Sequence, residues 1–120
     1  MAIELGEIIN VEAKLSREIN KIRELQRHEI YGRVQKHKEQ ISILIRVLSN
    51  ALNDLGDCRK AIQKQNYAKG LKDVQKATNN LIECSKFSFI LGLVGTNIRY
   101  FTRECARIQV SLENTIRTAR

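Results

Sequence analysis

Proline and tryptophan are absent from the 120 residues, and aromatic side chains make up only 5%. A chain of this length without proline favours long, uninterrupted helices, because proline removes a helical donor and clashes with the preceding turn. Cysteine is scarce: Cys58, Cys84 and Cys105 make three, with no metal-type spacing among them. An odd count with no secretory leader is expected of a reducing compartment. The start, Met1-Ala2-Ile3-Glu4, lacks both a basic n-region and an apolar h-region. The uncharged run between Lys86 and Arg99 is too short to cross a bilayer as a helix, which needs about 20 residues.

Motifs of catalysis are missing as well. There is no glycine-rich phosphate loop, no paired histidine spacing and no Cys-x-x-Cys pair. His28 and His37 are nine residues apart and flanked by Arg27, Lys36 and Lys38, which reads as solvated surface or turn. These gaps argue against an enzyme, and no cofactor or metal is expected. Nor is there a repeat at solenoid spacing or a low-complexity tract.

What the chain does have is apolar content at helical period. The apolar fraction is 42%, too high for a disordered chain, and the length suits one domain, 1–120, with a real core. The first stripe runs Leu5, Ile8, Glu12, Leu15, Ile19 and Ile22, with Ile9 beside it and Glu12 the one break. The second is Val34, Ile41, Leu44, Leu48, Leu52, Leu55 and Ile62, widened by Ile45. The third is Leu71, Val74, Ala77 or Thr78, and Leu81. The fourth is Ile98, Phe101, Cys105, Ile108, Leu112 and Ile116. Steps of three and four predict four amphipathic helices around one core, an all-α four-helix bundle of up-down topology.

The connections are read from breakers. Tyr31-Gly32-Arg33 and His37-Lys38 both qualify as the first turn, and Asn66-Tyr67-Ala68-Lys69-Gly70 as the second, since glycine weakens helices and favours their C-terminal caps. The third stretches from Ser85 to Thr96 with Gly92 and Gly95, and either Thr96 or Asn97 is placed to N-cap the last helix. This third connection is an apolar knuckle of Phe87, Phe89, Ile90, Leu91, Leu93 and Val94, able either to cap the bundle's end or to form an exposed lip. The first suits a resting fold, because large exposed apolar patches are uncommon in soluble monomers. Cys84 and Cys105 lie on apolar stripes and are expected to be packed and reduced. Cys58, after Gly56-Asp57, is expected to be more accessible.

The formal net charge of +8 speaks to partners rather than to fold. Lys69, Lys72 and Lys76 form one row at helical spacing, and Arg99, Arg103 and Arg107 form another. Each row is either an ordinary solvated face or a surface for anionic lipid headgroups, where a cation contributes about 1 kcal/mol. Nucleic acid is disfavoured: the basic faces carry no interleaved aromatics and no reading motif.

Four segments carry a family likeness: Leu5-Gly6-Glu7-Ile8-Ile9-Asn10-Val11, His37-Lys38-Glu39-Gln40 opening a leucine-rich helix, Leu81-Ile82-Glu83-Cys84 before the knuckle, and Asn97-Ile98-Arg99-Tyr100-Phe101 leading into the last helix. Together they resemble the four-helix-bundle family of the mixed lineage kinase domain-like necroptosis effector, the plant MCA calcium-influx proteins and the armadillo-repeat-only proteins, the HeLo-type cell-death bundles. The resemblance implies an N-terminal module of a larger protein, self-association into a homo-oligomer, and engagement of anionic lipids by basic surface residues in cell-death or immune signalling. The stretch before His37 is longer than that family's pattern. The expected location is the cytoplasm, with peripheral contact at a membrane. The competing expectation is an adaptor bundle that recruits a helical protein partner.

Overall fold

The computed structural model describes residues 5–27 and 37–118. They form an all-α four-helix bundle with a short fifth helix: α1 (Leu5–Arg27), α2 (Lys38–Gln63), α3 (Tyr67–Glu83), a 3₁₀ turn (Cys84–Phe87), α4 (Ser88–Val94) and α5 (Ile98–Thr118). The molecule is a rod of 57 × 20 × 18 Å. Up-down topology follows from the partners met along each seam. Glu12 meets Arg59 while Gln26 meets Ser42, so α1 and α2 are antiparallel. Gly70 lies against Ile62 and Leu112, and Asn80 bonds to Asp54, so α3 runs against α2. Cys105, level with Thr78, places α5 antiparallel to α3.

Helix lengths explain the fifth element. At 1.5 Å per residue, α2 with its 26 residues is about 39 Å long and α3 with 17 is about 25 Å. α3 therefore covers only the C-terminal part of α2. The 3₁₀ turn and α4 continue the cover: the turn packs on α2 and α4 packs on α1. Ile90 and Leu91 of α4 are buried over the half of the hairpin that carries Ile19, Ile22, Ile41 and Leu44. Most of the expected knuckle is thus a structural lid in helical form, where an irregular connection was expected from Ser85 to Thr96.

The stripes hold with local corrections. In α1 the break at Glu12 is bridged by Val11, 3% exposed. Glu12 steps off the core and accepts a hydrogen bond from Arg59 Nε at 2.8 Å. In α2 the inward residues include Val47, Ala51 and Cys58, while Leu52 and Ile45 are only half-buried. Val34, like Tyr31-Gly32-Arg33 and His28, lies outside the described residues. α2 begins at Lys38, with His37 just before it and 2.9 Å from Gln40 Oε1. In α3, Leu71 is half-buried and Gly70, Val74, Ala77 and Leu81 face inward with Asp73. Ile116 of α5 is half-buried.

The second turn sits earlier than expected. Asn66 N donates to Ala61 O at 2.8 Å and Gln65 N donates to Ile62 O at 2.9 Å. With Gln65 at φ 59°, this is a Schellman motif whose left-handed residue is a glutamine. Asn66 Oδ1 then accepts from Lys69 N at 3.3 Å and caps α3, so Lys69 and Gly70 lie inside the helix and not in a turn. The same motif closes α4: Thr96 N donates to Leu91 O, Gly95 N donates to Gly92 O, and Gly95 has φ 70°.

Candidate functional site: the basic faces and the α4 end

All six residues of the two basic rows are exposed, as helical spacing on outward faces requires. Their surroundings differ. Lys69 Nζ donates to Asp73 Oδ2 at 2.9 Å, and Asp73 is 5% exposed. That hydrogen bond holds the Lys69 ammonium above its ordinary pKa. Lys76 lies close to Asp54, whose carboxyl is raised above the usual range first by burial, against the lowering effect of the hydrogen bond from Asn80 and of the Lys76 charge. Lys69 and Lys76 therefore lie along the α2–α3 seam among Asp54, Asp57 and Asp73. In the arginine row, Arg107 Nη1 bonds to Glu104 at 3.0 Å, whereas Arg99 and Arg103 have no ion pair among the described residues. The rows are separate faces, and the arginine face is the less neutralised.

The α4 end divides the knuckle. Ile90 and Leu91 are buried and Phe87 and Val94 half-buried. Phe89 and Leu93, one turn apart, stay 49% and 47% exposed. Residues four apart share a helix face, so they form one apolar ridge on the outside of α4. The His37 ring lies 4.8 Å from that of Phe89. Three cations lie near α4 in the chain or in space: Lys86, exposed and paired with Glu83, Lys21, paired with Glu18 at 2.8 Å and donating to Val94 O at 3.4 Å, and Arg99, four residues past Gly95 and without an ion pair among the described residues.

All three thiols are buried, including Cys58, which was expected to be more accessible. It faces the α2–α3 contact, three residues past Leu55 on the same stripe, and Gly56-Asp57 does not interrupt the helix there. Burial pushes Cys58 and Cys84 up to about 12 and Cys105 to about 11, which holds all three as protonated thiols at neutral pH. Among the described residues no His, Cys, Asp and Glu side chains gather as a metal site, and no helix is long and apolar enough to cross a membrane.

Sequence reasoning missed the cations of α1. Lys14, Arg17 and Lys21 step by three and four on the helix that faces the start of α5, where Lys14 Nζ donates to the Tyr100 hydroxyl at 2.8 Å. The spacing was a visible signal, but nothing in the chain pairs α1 with α5 until the bundle closes. No protein-family model matches this chain, and no curated protein or solved structure matches it either.

Proposed function

We propose that this bundle is a non-catalytic module that docks on anionic membrane surfaces by its α4 end, from the cytoplasmic side, and self-associates there in the manner of cell-death or immune-signalling bundles. The observation that carries the reading is the Phe89–Leu93 ridge. It leaves two large apolar side chains half in water while Ile90 and Leu91 tie the same helix into the core. Arg99, the cation nearest α4 in the chain that is unpaired among the described residues, supplies attraction to acidic headgroups of about 1 kcal/mol near the surface, and Lys86 and Lys21 supply less because Glu83 and Glu18 already pair with them. Shallow insertion of Phe89 and Leu93 supplies the apolar part. The arginine row contributes more than the lysine row, because Asp73 and Asp54 already compensate Lys69 and Lys76.

Co-sedimentation with phosphatidylcholine vesicles, with and without phosphatidylserine, tests this. The parent should bind only the anionic vesicles and lose binding in high salt. Phe89→Ser with Leu93→Ser should abolish retention while leaving the melt unchanged. Reversal of Arg99, Arg103 and Arg107 to Glu should weaken binding more than reversal of Lys69, Lys72 and Lys76. Equal binding by the parent and all three variants refutes membrane docking.

A second reading, an adaptor for a helical partner, draws on the groove between α1 and α2. Ala13, Ser16 and Gly56 keep its floor low, and Ile9 and Leu52 give it apolar walls. Ile9 is 51% exposed, which leaves it free for a partner.

A further inference from the structure

The seam between α1 and α5 is the loosest between neighbouring long helices, since α1 is packed chiefly on α2 and α5 on α3. It opens into a groove of about 350 Å³ walled by Lys14 and Arg17 on one side and by Gly95, Asn97 and Tyr100 on the other. Glu18 also lines the groove, but its carboxylate lies 2.8 Å from Lys21 Nζ, so its charge is met from its own helix. Lys14 Nζ is held by the Tyr100 hydroxyl at 2.8 Å and lies 4.9 Å from that ring's centroid. The ammonium is thus fixed over the groove instead of trailing into solvent. Arg17 has no ion pair among the described residues.

This arrangement has the chemistry of a site for a doubly charged oxyanion. A guanidinium presents a planar fork that meets two oxygens of one phosphate, and an ammonium adds a point charge. Asn97 lines the opposite wall, and its side chain carries an amide of the kind that donates to such oxygens. Lys14 and Arg17 leave two positive charges uncompensated, which matches a phosphate monoester at about −2 better than a carboxylate or a phosphodiester at −1.

We infer that the α1–α5 groove binds a phosphate monoester dianion through Lys14, Arg17 and Asn97. The inference stands apart from membrane docking, because none of the groove residues belongs to the α4 ridge. The same chemistry is offered by a soluble phosphorylated metabolite and by a monoester lipid headgroup, and two arms of one experiment separate them.

In the first arm, glycerol 3-phosphate is titrated against the full chain at constant ionic strength and followed by amide chemical shifts. Saturable shifts centred on Gly95, Asn97 and Tyr100 are expected. Arg17→Gln should weaken binding about tenfold or more, the loss of one charge-assisted contact. Arg117→Gln, at the far end of α5 and exposed, should leave it unchanged, and Arg17→Gln should melt like the parent because Arg17 is exposed. In the second arm, phosphatidic acid vesicles are compared with phosphatidylglycerol vesicles at matched surface charge. A preference for phosphatidic acid that Arg17→Gln erases assigns the lipid source. Saturation by glycerol 3-phosphate without such a preference assigns the soluble one. The Phe89→Ser, Leu93→Ser double variant should keep its affinity for glycerol 3-phosphate even if it loses vesicles, so the two proposals fail separately. Shifts that chloride reproduces, or an Arg17→Gln variant that binds as the parent does, overturn the site.

Discussion

Gly70→Ala should stabilise this protein. Gly70 is the fourth residue of α3, its N–H already bonded to Asn66 O at 3.1 Å. It is buried against α2 and α5, the setting in which a glycine usually marks a contact too close for a side chain. Here the space is adequate. A Cβ at this position would lie 3.4 Å from Ile62 Cγ1, 3.6 Å from Cys58 O and 3.7 Å from Leu112 Cδ2, all ordinary contacts. The backbone there is not left-handed, so alanine brings no strain. The gain is the difference in helix propensity, up to about 1 kcal/mol and somewhat less near a helix start. For a domain of this size the melting temperature should rise by about 3–5 °C, read by circular dichroism at 222 nm. Gly70→Val must lose it again, because γ-carbons pressed towards Ile62 and Leu112 overpack the contact at a cost of about 1–3 kcal/mol. If alanine lowers the melting temperature, Gly70 sits in a turn or the helices approach more closely than described, and the α2–α3 geometry is wrong.

The two Schellman motifs make opposite predictions from one cause. Gln65→Gly should stabilise by about 1 kcal/mol and Gly95→Ala destabilise by as much, since only glycine is free of the Cβ penalty at positive φ; urea melts that move both midpoints the same way would refute this. Leu112→Ala and Leu48→Ala, both at 0% exposure, should each cost about 2–5 kcal/mol, against less than about 1 kcal/mol for half-buried Leu52→Ala; equal losses at all three sites would contradict the core described. The native thiols should react with a disulfide reagent only as fast as the protein unfolds, and all three rapidly in denaturant. Because burial raises them from 9.0, the unfolded chain loses these protons first. Their contribution is complete below pH 9 and is lost as pH rises towards 11 and 12. A Cys84→Ala variant should therefore show a shallower alkaline loss of stability than the parent, whatever its stability at pH 7.

The bundle was legible because its information is periodic. Leu15, Ile19 and Ile22, or Cys105, Ile108 and Leu112, face the core in the structure as the steps of three and four require. One place where the stripes failed is where the helix offers two choices a residue apart, as at Val11 and Glu12. There the decision belonged to Arg59, which lies 47 positions away and gives the carboxylate a partner outside the core. The turns were harder for a different reason. A reading that seeks glycine at helix ends finds Gly95, where glycine occupies the left-handed position, but places the second turn at Gly70, where glycine occupies a helix contact. The true left-handed residue is Gln65, and its conformation is imposed by the hydrogen bonds of Asn66 and Gln65 to α2 and not by its own side chain.

The same distinction separates the two charged surfaces. The lysine and arginine rows were visible as spacing on single helices, yet spacing is silent about neighbours. Asp73 reaches Lys69 along the helix, and Asp54 approaches Lys76 from the next one. One row is thereby partly discharged along the seam, while in the other only Arg107 has an acidic partner among the described residues, Glu104 of its own helix. Lys14 and Arg17 gain their meaning only across the bundle, where Tyr100 holds the lysine and Asn97 faces the arginine's groove. A charge on a helix wheel becomes a site when a second element supplies what the first lacks. In this protein that happens in the loosest seam, because α1 and α5 are each satisfied by another neighbour and need not close on one another.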